Sequence, residues 1–283
     1  MSQRFSTDDG RALAYERRGS GPVLVCHPGG PGFSARLFDD AAGLDESFTL
    51  VLLDPRGTGG SDRPVDDEAY RIEDYVDDLE QLRRHLGLEA IELLGWSHGG
   101  IVAMAYAAAH PARVAHLVLV GALARFQAEQ EVAMREAMEQ RADEPWYADA
   151  VAALEQEQAG TFGTDAELGE LAFREFPLYF ASYGERERAY LERMREPANG
   201  DTLRFFNQEI WPTFDLRPQL SRIDAPTLIL AGEQDFICGP TCAKDIGGAI
   251  PGAKTVLIPG AGHFLFLEAA DRLRDEVTRF VRG

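Results

Sequence analysis

Cysteine is scarce in this chain of 283 residues: Cys26, Cys238 and Cys242 are the only three. So small and odd a number excludes the paired disulfide framework of a small secreted domain and fits a reducing compartment. Cys238 and Cys242 lie four residues apart and can share a helix face, but no histidine near them in sequence completes a ligand set. No metal and no cofactor is expected. Long apolar runs are missing too. No segment approaches the ~20 consecutive apolar residues of a membrane span, and the opening segment MSQRFSTDDGRALAYERRG has no apolar stretch behind its first basic residue. The expectation is a soluble, cytoplasmic protein with no membrane partner. Positive charge is the third shortage, with 28 basic residues against 47 acidic ones and a formal net charge of -19. Such a balance repels phosphate backbones and argues against nucleic acid as a partner.

What is present is apolar sequence in short, regularly interrupted pieces. A hydrophobic content of 45% over this length lets the chain bury a large core in one α/β domain carrying an insertion. Residues 3–18 read as two strands around TDDGR, because Asp-Gly is a strong hairpin signal. PVLVCHP (22–28), FTLVLLD (48–54), AIELLGW (90–96), VAHLVLVG (114–121), PTLILAG (226–232) and AKTVLIP (253–259) are β-branched and almost wholly apolar, which suits strands buried on both faces of a parallel sheet. Between them IEDYVDDLEQLRRHLG places Ile72, Tyr75, Val76, Leu79, Leu82 and Leu86 at helical spacing and offers Gly87 as a C-terminal stop. Strands alternating with helices imply a doubly wound sheet. The rhythm breaks over 123–215, which is rich in Ala, Glu and Arg and has no strand pattern. We expect a core from residues 1–122 and 216–283 and a helical cap from 123–215.

One turn stands out chemically. Gly95-Trp96-Ser97-His98-Gly99 follows an apolar strand and opens a small-residue helix, the context of a nucleophile elbow. A serine hydroxyl is a weak nucleophile without a base and an acid to orient that base. Of the six histidines, His85 and His110 stand at helix ends, where interaction with the last carbonyls accounts for them; His116 begins a strand, and His27 ends one. His98 matters through its backbone amide. His263, in the loop between the last strand and the last helix, sits where α/β sheets place their sites. Asp235 ends the TLILAGEQD segment, so Ser97, Asp235 and His263 follow the established order of serine, acid and base. Glu233 competes for the acid's role. CHPGGPG then supplies the Gly30 amide, which would pair with that of His98 as an oxyanion hole.

With these segments quoted, the chain resembles the α/β-hydrolase superfamily along nearly its whole length, and within it the proline iminopeptidases. The marks are PGGPG, DPRGTGGSDRP, GWSHGG, GEQDF and GAGHF. The resemblance implies an α/β-hydrolase fold, a mostly parallel eight-stranded sheet flanked by helices, and a serine hydrolase acting on a small molecule or short peptide. Asp54, Arg56 and Ser61 of the DPRGTGGSDRP segment belong to a structural loop. Pro28 stands where the family's loop has histidine, and Phe236 stands where some members carry a glutamate that holds the substrate's amino group. Glu209, flanked by Phe205, Phe206 and Trp211, is the cap carboxylate expected to do that work. Esterases, C–C bond hydrolases, perhydrolases and silent ligand binders share the pattern, and the oligomeric state stays open.

Overall fold

Eight strands form one sheet: β1 (Ser2–Ser6), β2 (Ala12–Gly19), β3 (Val23–His27), β4 (Thr49–Leu53), β5 (Ile91–Trp96), β6 (Val114–Val120), β7 (Thr227–Gly232) and β8 (Lys254–Ile258). In this computed structural model, which describes residues 2–66 and 68–283, they lie in the order β1-β2-β4-β3-β5-β6-β7-β8. The β1–β2 and β2–β4 pairs are antiparallel and every other pair is parallel. This is the α/β hydrolase architecture that the resemblance implies.

The two faces of the sheet carry separate cores. Alternate side chains such as Val25, Val51, Leu93 and Leu119 meet helices α1 (Ile72–His85) and α2 (His98–Ala109) on one face. Leu24, Leu50, Leu94 and Val120 meet the other. Each fully buried aliphatic side chain contributes roughly 1.5–3 kcal/mol, so central strands apolar on both sides carry much of the stability. Helix α1 ends as its sequence suggests, with Gly87 at φ +66° and its amide on the Arg84 carbonyl. Strand β8 departs from the two-faced expectation. It is the sheet's outer strand, and Lys254, Thr255 and Leu257 are exposed because only one side of it is covered.

Between β6 and β7 the chain is helical: α3 (Ala128–Glu139), α4 (Tyr147–Gln158), α5 (Asp165–Glu175), α6 (Glu185–Met194), α7 (Gly200–Phe205), a π-helical turn over Phe206–Ile210, and α8 (Arg217–Leu220). The insertion leaves and returns at one neck, where Arg125 and Asp215 form an isolated antiparallel bridge and the Leu216 amide donates to the Ala124 carbonyl at 2.8 Å. After β7 come α9 (Pro240–Ala249), then α10 (Leu265–Glu268) and α11 (Ala270–Arg282) behind β8. Among the described residues no helix is long and apolar enough to cross a membrane.

Candidate active site

Ser97 sits between β5 and α2 with φ 54° and ψ -118°, a region that non-glycine residues rarely occupy. Its neighbours make that conformation possible. A Cβ on Gly95 would overlap the Gly99 carbonyl, and one on Gly99 would overlap the carbonyl of His27 and approach that of Pro28. Gly95 therefore clears the bend itself, whereas Gly99 clears the end of β3. The Ser97 amide donates to the Val120 carbonyl at 3.0 Å, pinning the turn to the adjacent strand.

Asp235 and His263 come from the loops after β7 and β8 and are both buried. The His263 Nδ1 lies 2.7 Å from Asp235 Oδ2. The other carboxylate oxygen, Oδ1, accepts the amides of Ile237 at 3.0 Å and Cys238 at 2.9 Å. Glu233 points to solvent instead, with only its amide tied to the Ile258 carbonyl. A feature that sequence spacing concealed is Cys238. Its Sγ and the ligand-type atoms of Asp235 and His263 lie within 4.8 Å of one another, so the histidine missing from its sequence neighbourhood is present in space.

Ser97, His98, Gly30 and His263 line one cavity of about 300 Å³ roofed by the insertion. The rings of His98 and His27 are buried, and loss of hydration lowers their pKa values to about 3 and about 4. Both stay neutral, and His98 packs edge-on to Tyr75 and Phe206. The other histidines have packing explanations that differ from helix capping. His85 stacks on Phe5 with centroids 5.0 Å apart and meets the Tyr15 hydroxyl, His110 packs on Tyr106, and His116 pairs with Glu92. Arg56, Asp54 and Ser61 are likewise structural. Arg56 is buried against Asp78 at 2.7 Å and caps the Ala69 and Asp74 carbonyls, while Asp54 accepts the Ala35 and Gly60 amides.

The structure does not bring Glu209 to the cavity. The π-helical turn directs Phe206 and Asn207 inward along with Trp211, while Glu209 is exposed and lines a separate groove of about 900 Å³ with Phe205. Three other insertion carboxylates do line the cavity: Glu175 at the end of α5, Glu157 on α4, and Glu131 on α3, which is exposed and paired with Arg135. Glu175 is buried, and its Oε2 has no hydrogen-bond partner among the described residues. The sequence signal was present. Glu175 continues the buried stripe of Leu168, Leu171 and Ala172, an acid on an apolar face. Burial, followed by the neighbouring Glu157 charge, pushes Glu175 well above the ordinary carboxyl range, and burial pushes Glu157 to about 7. Phe236 packs edge-on to Tyr179 at 4.7 Å and so anchors the insertion.

Raised carboxyl pKa values have a consequence for stability. Between the ordinary value of 4.5 and about 7 the folded protein holds protons at Glu157 and Glu175 that the unfolded chain has released. Their stabilisation is full at low pH and declines as pH rises through that window. We expect the melting temperature to fall between about pH 5 and pH 8, and Glu175→Gln to flatten the fall. Thermal melts across that range check it; equal slopes in the two proteins contradict it.

Comparison with known proteins agrees with this fold. The alpha/beta hydrolase fold family model matches residues 22–270. The proline iminopeptidase PfmaB of Pestalotiopsis fici is 29% identical over 273 residues, covering 94% of this chain and 95% of that one. A proline iminopeptidase of Levilactobacillus brevis is 26% identical over 273 residues, covering 92% and 88%. Among solved structures, an alpha/beta fold family hydrolase from Bacillus anthracis str. Sterne matches with a TM-score of 0.80 at 21% identity over 99% of both chains.

Proposed function

The chain belongs to the alpha/beta hydrolase fold family, and from that premise we propose a serine hydrolase that cleaves a small amide or ester, above all the bond after an N-terminal residue, through an acyl-enzyme. The observation that carries this reading is the buried Asp235–His263 pair opening on the same cavity as the strained Ser97. Ser97 Oγ attacks the carbonyl carbon and its proton passes to His263 Nε2, the ring nitrogen left free by Asp235. The oxyanion is held by the amides of Gly30 and His98, each donor contributing roughly 3–4 kcal/mol to the transition state. His263 then protonates the leaving group. A water, deprotonated by the same nitrogen, releases the acid and restores Ser97. The three free, buried cysteines suit a cytoplasmic enzyme.

A free ammonium entering this cavity loses hydration and needs a carboxylate in exchange. Glu175, with an unpartnered buried oxygen, and Glu157 beside it offer that exchange. The likeness to iminopeptidases points the same way. Glu175→Gln should therefore raise KM for unblocked aminoacyl amides about tenfold or more, the worth of roughly 1–3 kcal/mol, and leave simple acyl esters nearly unchanged. Steady-state kinetics on both substrate types test this. Equal losses on both would mean a damaged cap, and no loss on either would remove Glu175 from the site.

A further inference from the structure

The loop that carries His263 is held to the insertion as firmly as to the sheet. The His263 amide donates to the Tyr179 carbonyl at 2.7 Å. One residue earlier, the Gly262 amide donates to Glu268 Oε2 at 3.0 Å, and from the insertion side the Ala181 amide donates to Glu268 Oε1 at 2.7 Å. A single carboxylate on α10 thus joins the histidine loop to the Tyr179–Ala181 segment. The two backbones are in close contact: a Cβ on Gly262 would overlap the Tyr179 carbonyl and lie 2.7 Å from the Ala181 nitrogen. Neither can shift without the other.

We propose that Glu268 is a positioning residue for His263, clamping the histidine loop to the Tyr179–Ala181 segment so that closure of the insertion and the aim of the imidazole are one event. The proposal rests on the reading of His263 as the base. The two amides approach different oxygens of Glu268, so both must accept, which suits an ionised carboxylate better than a carboxylic acid and excludes a primary amide. Protonated Glu268 turns one oxygen into a donor facing an N–H. One of the two links is then lost, and a small misalignment at a base costs up to about 10²-fold.

The surroundings set where that happens. Asp235 and Glu187 of α6 face Glu268 with like charge, while Arg141, from the turn after α3, faces it with opposite charge. Arg186 of α6 is engaged by the Leu267 carbonyl. Burial raises Glu268 to about 7 despite its two amides. The clamp is therefore half-formed near pH 7, completed as pH rises above it and lost as pH falls below it.

The test uses the full enzyme and a simple acyl ester, which carries no ammonium and so does not report on Glu157 or Glu175. Glu268→Gln should lower kcat about 10- to 100-fold at pH 8 with KM within about threefold. In the wild type, log kcat should fall more steeply below pH 7 than in Glu268→Gln, because the variant lacks the proton that Glu268 takes up there. Should the glutamine variant melt below the assay temperature, Glu268→Asp gives the same answer, because its carboxyl keeps the steeper acid limb and moves it to lower pH. A kcat within twofold of wild type, or an acid limb that neither variant alters, overturns the clamp. Failure of the underlying reading is distinguishable: there, His263→Ala would itself keep its activity.

Discussion

A Ser97→Ala protein should fold, melt close to the wild-type temperature and lose about six orders of magnitude in kcat, the size seen when a triad acting as a unit loses its nucleophile. The fold should survive because only the hydroxyl is removed. Ser97 is half-buried at the cavity surface, its backbone strain at φ 54° is common to alanine and serine, and the β-carbon that fits beside Gly29 is retained. The amide bond to the Val120 carbonyl that fixes the turn is untouched. Turnover on aminoacyl amides and labelling by a fluorophosphonate probe measure the loss. A variant keeping more than a tenth of the wild-type kcat would remove Ser97 from the nucleophile's role, and an unlabelled wild type would point to a ligand-binding protein instead.

Asp235→Asn should cost about 10⁴-fold in kcat, and the hydrogen bonds say why. Oδ1 of Asp235 accepts two backbone amides, from Ile237 and Cys238. In asparagine only the carbonyl oxygen can fill that place, so the NH2 group must turn toward His263. There it donates to Nδ1, which forces the ring proton onto Nε2 and leaves no base facing Ser97. Glu233→Gln, at an exposed position, should stay within about threefold of wild type. Reversed effects in the two variants would transfer the acid's role to Glu233.

The sheet was readable from the sequence because its strands obey local rules: β4, β5 and β7 are apolar on both faces, and Gly-rich turns separate them from helices of clear period. The places of Ser97, Asp235 and His263 in loops that follow strands were readable for the same reason, Ser97 directly after β5, Asp235 three residues after β7 and His263 five residues after β8. Residues outside that grammar were not. Glu209 was favoured for lying near the family's equivalent stretch, flanked by aromatics, but a π-helical turn changes the angular spacing, so Phe206 and Trp211 face the cavity while Glu209 faces out. Glu175 left a trace in the stripe of α5, yet which cavity that stripe faces depends on how the insertion folds back over the sheet. Cys238 was set aside because no histidine lies near it in sequence, and His263, 25 residues away, meets it only in space.

The neck at Arg125 and Asp215 bears on how such an enzyme can change over evolutionary time. Because the insertion departs and returns at one bridge, another helical lid can be grafted there without rerouting any strand, and selectivity looks free to drift while the hydrolytic apparatus stays put. The carbonyl of Tyr179, bonded to the His263 amide, withdraws part of that freedom. So does Arg141, whose guanidinium reaches the Phe180 carbonyl at 3.1 Å and the Gln234 carbonyl beside the acid at 2.7 Å. A transplanted lid lacking this short stretch inherits a new substrate range together with slackened Asp235 and His263 loops. Lineages descending from such a scaffold are therefore expected to vary freely along α3, α4 and α6 and to hold the 179–181 segment nearly fixed, and an engineer exchanging lids should carry those residues across with the recipient's own loops.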